Sequence, residues 1–146
     1  MRILGVDPGE KNIGTAISDP TGTIANPLTV IKHTSRAEDA AAIVHLAAEG
    51  EVGLIVVGQN LDDEGLPTFE GRRAARLGGA IRALTDIPVE FWDESGSTQS
   101  ARQARIAMGV PRRKRRGHLD ELAATVILQS YLNAQSSEQL TVDSDQ

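Results

Sequence analysis

An apolar run from Ile3 to Val6 stops at Asp7-Pro8-Gly9, and a second apolar run begins at Ile13 and continues to Ile17. Two extended segments with so short a break between them form a tight antiparallel pair, because parallel strands need a crossover of a dozen residues or more. This pattern predicts a first strand over Arg2–Asp7 and a second over Asn12–Asp19, with the Asp7 carboxylate at the exit of the first. A carboxylate at the lip of a sheet stands where a metal ion or a phosphate can approach it.

The meander continues and then gives way to alternation. Pro20-Thr21-Gly22 is a turn signal, and Thr23–Ile31 reads as a third strand. Pro27 within it favours an edge position, since proline cannot donate to a ladder. Thr34-Ser35 then offers a cap to an alanine-rich helix that runs to Glu49, with Ala40, Ile43, Val44 and Ala47 at helical spacing. Leu54–Gly58 is a β-branched run of the kind buried on both faces of a parallel arrangement. After a polar loop, Gln59–Leu66, a second helix is expected over Pro67–Leu84, with Arg72, Arg73, Arg76 and Arg82 as its basic face. A fifth strand, Pro88–Trp92, ends in Asp93-Glu94. Gly96-Ser97-Thr98 caps a third helix through Met108, and a basic loop, Gly109–Gly117, leads to a last amphipathic helix over His118–Ala134. The apolar positions of that helix are read as Leu122, Ala123, Val126, Ile127 and Tyr131. The order β-β-β-α-β-α-β-α-α implies an α/β fold with a mixed five-stranded sheet flanked by helices. One domain is expected over residues 1–134, followed by a polar, disordered tail over 135–146.

Composition excludes several chemistries. There is no cysteine, hence no disulfide, thiolate metal site or cysteine nucleophile. With aromatics at 3%, a base-stacking platform for single strands is not expected. No apolar run approaches membrane-spanning length and the start lacks a signal-peptide pattern, so a cytoplasmic location without membrane partners is expected. The net charge of −5 hides an asymmetry. No acid lies between Ser95 and Leu119, where Arg102, Arg105, Arg112, Arg113, Lys114, Arg115 and Arg116 gather. Dense like charge costs self-repulsion, which a polyanionic partner offsets.

Three acidic groups stand where a site can be built: Asp7 after the first strand, Asp93-Glu94 after the fifth, and Asp120 at the start of the last helix. Taken singly, each has an ordinary role, as a turn residue, a helix cap or a partner of a helix dipole. Together they form an oxygen-only donor set, which suits Mg²⁺ or Mn²⁺. Two such ions about 4 Å apart can activate a water and stabilise the leaving oxygen of a phosphodiester. Lys11, close to Asp7, and the basic run Arg112, Arg113, Lys114, Arg115 and Arg116 would then contact phosphates.

The set Asp7-x-Gly9-x-Lys11-x-x-Gly14, Ser18-Asp19-Pro20, Ile55-Val56-Val57-Gly58, Asp93-Glu94 with Thr98 and Ala101, and Asp120-x-x-Ala123-Ala124 with Ile127-Leu128 resembles the YqgF family, also called RuvX. The resemblance covers most of Met1 to Leu132. It implies a ribonuclease H-like fold with sheet order 3-2-1-4-5, the first three strands antiparallel. It also implies a metal-dependent nuclease, with Asp7, Glu94 and Asp120 as catalytic and metal-binding acids and one or two Mg²⁺ or Mn²⁺ ions. The expected substrate is structured RNA, in 5′ maturation of precursor 16S rRNA, or else branched DNA at Holliday junctions, cut by a monomer or a homodimer. A non-catalytic nucleic-acid-binding assembly factor is the alternative outside enzymes. Two positions depart from the family pattern: Ser95-Gly96 follows Glu94 where an arginine is usual, and Gln59-Asn60 follows Gly58 where Leu-Pro is usual.

Overall fold

The computed structural model describes residues 1–93 and 116–144, with side chains over 1–93 and 122–136. Its sheet contains β1 (Arg2–Asp7), β2 (Asn12–Ser18), β3 (Ala25–Lys32), β4 (Val52–Gln59) and β5 (Val89–Asp93), in the order β3-β2-β1-β4-β5. The pairs β1–β2 and β2–β3 are antiparallel, whereas β1–β4 and β4–β5 are parallel. The expected sheet is therefore present, with β1 at the junction of its antiparallel and parallel halves. β3 occupies the edge that Pro27 demands, and the ladder slips between the Thr15–Thr29 and Ala16–Pro27 pairs.

Side-chain alternation divides β1 between two cores. Leu4 and Val6 pack with Ile13, Ile55 and Val57 beneath α1 (Arg36–Glu49) and α2 (Phe69–Arg82). Ile3 faces the other way, joining Ala16, Leu54 and Val56 under the last helix, α3 (Arg116–Ser144). Ser35 caps α1 by accepting the Glu38 N–H, and Thr68 caps α2 by accepting the Gly71 N–H.

Three sequence readings need adjustment. α3 already includes Arg116 and Gly117, which the sequence reading places in the basic loop Gly109–Gly117. The helix also runs to Ser144 and not to Ala134, because nothing between Gln135 and Ser144 is a glycine or proline that would stop it; the expected disorder over 135–144 gives way to helix. The buried stripe of α3 is Ala124, Ile127, Leu128, Tyr131 and Leu132, while Leu122, Ala123 and Val126 are only half-buried. The small Ala124, and not its neighbour Ala123, meets the sheet because β1 offers it a glycine. The helix expected over 98–108 lies outside the described residues.

That glycine is Gly5. A Cβ there would lie 2.8 Å from the Leu128 Cβ and 3.4 Å from the Ala124 carbonyl oxygen. The helix rests on bare backbone, so Gly5→Ala should destabilise the protein by about 1–3 kcal/mol through overpacking, measurable by urea unfolding.

The turn from β2 to β3 is built on Asp19. Its carboxylate accepts the N–H groups of Ile24 and Thr23, both at 2.8 Å, the Thr21 hydroxyl, and the Thr21 N–H at 3.2 Å. These bonds, the Ile24 N–H foremost and the Thr21 hydroxyl next, hold the carboxyl well below its ordinary value of 3.8. A depressed carboxyl contributes stability above that ordinary value, and the contribution is lost as pH falls through the folded-state value. Asp19→Asn should therefore lower the thermal midpoint at neutral pH, with the gap to wild type closing in strong acid.

Candidate active site

Asp7 is the last residue of β1, two positions beyond Gly5, and strand alternation puts it on the α3 side of the sheet with Ile3 and Gly5. It is half-buried, and its backbone pairs with Gly14. The turn that follows is closed by Gly9, where a Cβ would fall 2.2 Å from the Asn12 carbonyl oxygen. Only glycine fits that approach, which explains the Asp7-x-Gly9 spacing. Lys11 is exposed in the same turn, and its carbonyl accepts the His33 N–H at 2.9 Å. Asp7 and Lys11 therefore share one edge of the sheet.

The direction of α3 follows from its anchors. Gln129 accepts the Ala25 N–H at 2.9 Å and donates to the Thr23 carbonyl at 3.1 Å. Ala25 pairs with Ser18, whose Oγ accepts the Ile3 N–H at 2.8 Å. Gln129 thus sits by the start of β1, Ala124 sits over Gly5, and the helix runs antiparallel to β1, with its N-terminal end at the Asp7 edge. Going from residue 124 back to residue 120 climbs about 6 Å along the helix. Going from residue 5 to residue 7 climbs roughly 6.6 Å along the strand. The backbone of Asp120 is thereby carried to the level of Asp7, on the i, i+4 line of Ala124 and Leu128.

β5 is tied to the same helix. Glu90 accepts the Tyr131 hydroxyl at 2.7 Å, and the Trp92 indole donates to Ser130 Oγ at 3.2 Å. The Trp92 and Tyr131 rings meet edge to face at 5.4 Å. Val89 and Phe91 point to the opposite core, and Asp93 shares their side of the strand by alternation. Because β1, β4 and β5 are parallel, Asp93 ends at the same sheet edge as Asp7. Glu94, Arg112, Arg113, Lys114 and Arg115 lie outside the described residues, as do the side chains of Arg116 and Asp120. Among the described residues, no group of three His, Asp or Glu side chains could hold a metal ion.

Sequence reasoning missed the Glu90–Tyr131 and Trp92–Ser130 links, because partners about forty residues apart carry no local signal. His33, an exposed residue after β3, carries no signal in the sequence either. Its Nδ1 bonds the carboxylate of Asp39, which is 3% exposed and also accepts the Thr34 N–H at 3.1 Å.

The model of the family described as "RuvX: Holliday junction resolvase" matches residues 1–134. The chain belongs to the RuvX family. A protein of Syntrophus aciditrophicus named "Putative pre-16S rRNA nuclease" is 41% identical over 143 residues, covering 98% of this chain and 95% of its own. One of the same name from Thermoanaerobacter pseudethanolicus is 40% identical, covering 94% of this chain and all of its own. Among solved structures, Thermus thermophilus RuvC in complex with a Holliday junction superposes with a TM-score of 0.57 at 17% identity, over 93% of this chain and 96% of that one. The fowlpox virus resolvase with Holliday junction DNA gives 0.52 at 13%, over 92% and 99%. These likenesses show the fold, which is that of the RuvC-like resolvases, as the family resemblance implies.

The turn that carries Asp7 and Lys11 depends on Gly9. Gly9→Ala should force the Asn12 carbonyl aside and destabilise the protein by ~1–3 kcal/mol in urea unfolding. The accompanying amide shifts in an ¹⁵N spectrum should concentrate in residues 7–14.

Proposed function

We propose that this RuvX-family chain is a cytoplasmic, divalent-metal-dependent nuclease whose substrate is the precursor of 16S rRNA. The observation that carries the reading is the position of Asp7. It ends the central strand on the α3 side, level with the helix turn that bears Asp120. Glu94 is the third acid we assign, since Asp93 shares the side of Val89 and Phe91 and so turns away from the α3 side. The substrate follows from the relatives at about 40% identity, whose name specifies that RNA.

The donor chemistry fits Mg²⁺ or Mn²⁺. Three carboxylates supply hard oxygen ligands, with no thiolate in the chain to favour a softer ion. When bound, such an ion would supply Lewis acidity for hydrolysis of a phosphodiester. Asp7, Glu94 and Asp120 hold it in place. Lys11, beside Asp7 in the turn, orients the phosphate by charge, and Arg112, Arg113, Lys114, Arg115 and Arg116 contact the backbone further along without reading bases. Hydrophobic anchoring by Leu128 and Tyr131 keeps the acid-bearing helix in register with β1.

Four-way DNA junctions are the second reading, favoured by the family's description as Holliday junction resolvases. Symmetric cuts there call for paired sites and hence a homodimer. Purified protein should cleave a precursor-16S-like RNA in Mn²⁺ or Mg²⁺, with a roughly 100-fold or greater loss in Asp7→Asn, equal to ~2.7 kcal/mol of barrier. Cleavage of the junction alone would transfer the assignment to resolution of DNA. Cleavage of neither, with RNA still bound, would make the protein a non-catalytic factor.

A further inference from the structure

The β1–β2 turn has a second side. While Asp7 belongs to the α3 side, Pro8 and Gly9 wall a cleft of about 280 Å³ on the other side, completed by His33, Ser35, Arg36, Asp39, Arg73 and Arg76 with Ile13 and Leu77 at its base. Three arginines from two helices line it. Arg73 and Arg76 lie at i and i+3, on one face of α2, and Arg36 opens α1.

None of the three has a carboxylate partner among the described residues. The one acid of the cleft, Asp39, is already occupied by His33 and the Thr34 N–H. Arg73 also lies over the Phe69 ring, 5.5 Å from its centroid, a contact that steadies the guanidinium without neutralising it. The other basic residues of α2 are employed differently. Arg82 donates to the Val89 carbonyl at 2.6 Å and lies over Phe91, and Arg72 lies over Phe69 without lining the cleft. The lining therefore carries three arginines against one carboxylate on a protein whose net charge is −5. Like charges gathered in this way repel one another, and a bound anion offsets the cost.

The geometry points to this cleft as a binding site for a backbone phosphate of the nucleic acid, held by Arg36, Arg73 and Arg76 beyond the turn that carries Asp7. The inference rests on the nuclease reading for its choice of ligand. The volume suits a phosphate with part of its sugar, the apolar base formed by Ile13 and Leu77 suits a ribose edge, and the shared turn puts the cleft next to the acid. Planar guanidiniums match phosphate oxygens in pairs, and such contacts position a strand without reading its sequence.

The test is binding in EDTA, where cleavage plays no part, of a labelled RNA hairpin with a single-stranded extension. R73E/R76E should weaken binding at least tenfold and lower the salt slope by about 0.7, the value for one single-strand phosphate contact. R72E should leave the affinity within twofold, and R73K/R76K should recover most of it. Equal thermal midpoints exclude misfolding as the cause. Unchanged RNA affinity in R73E/R76E overturns the inference. That holds even if inorganic phosphate shifts the amides of Gly9 and Arg36, which would make the cleft a site for the free ion. Failure of the nuclease reading looks different: wild type then cleaves nothing in Mn²⁺, whatever R73E/R76E does to binding.

Discussion

The close approach of α3 to β1 at Gly5 is the contact on which the candidate site depends. A helix normally stands off a sheet by the length of two interleaved side chains. Here the strand contributes no side chain at the crossing, and the helix contributes Ala124 and the base of Leu128. Dispersion attraction falls steeply with separation, so the gain comes from many short contacts at once. The same approach converts two unremarkable spacings into a geometry. Two strand residues and four helix residues climb by the same distance, and an acid stands at the far end of each.

Much of this fold was legible because local chemistry and tertiary placement agree. The short break at Asp7-Pro8-Gly9 dictates a hairpin, Pro27 dictates an edge strand, and Leu54–Gly58 has the composition of an interior strand; each element is found there. What escaped the sequence depends on partners distant along the chain. The face of α3 was misread by one residue because Leu122, Ala123 and Ala124 are all apolar, and only Gly5 decides which of them meets the sheet. The end of α3 was misread because a polar composition says little about a helix that continues from an anchored one. The proposed acids, Asp7, Glu94 and Asp120, rest on the sequence as an oxygen donor set, and of the three side chains only that of Asp7 is among the described residues. His33 was not legible, because a histidine's role depends on whether a buried carboxylate lies within reach, and Asp39 is six residues away on another element.

Charge is distributed with the same economy. The basic face read on α2 is several functions on one helix: Arg82 fastens the helix to β5, Arg72 and Arg73 cover an aromatic ring, and Arg73 and Arg76 line the cleft. The overall negative charge keeps nonspecific attraction of polyanions low, while local clusters supply it where a strand must be held. Asp39 contributes by joining the end of β3 to the start of α1, and through His33 to the carbonyl of Lys11. Both sides of the turn thus rest on one hydrogen-bonded brace.

The strand order has a consequence in time as well as in space. β1 precedes every other strand of the sheet along the chain, yet it lies in the middle, and its parallel neighbour β4 begins some fifty residues later. The meander β1–β2–β3 can close as soon as it emerges from the ribosome, because its contacts are local. It then waits with one side of β1 bare until α3, which follows all five strands, settles on Gly5. The segment that covers this exposed apolar surface also bears Asp120. A chain caught before α3 emerges is therefore a scaffold that still lacks one of the proposed acids, and the docking of α3 supplies it.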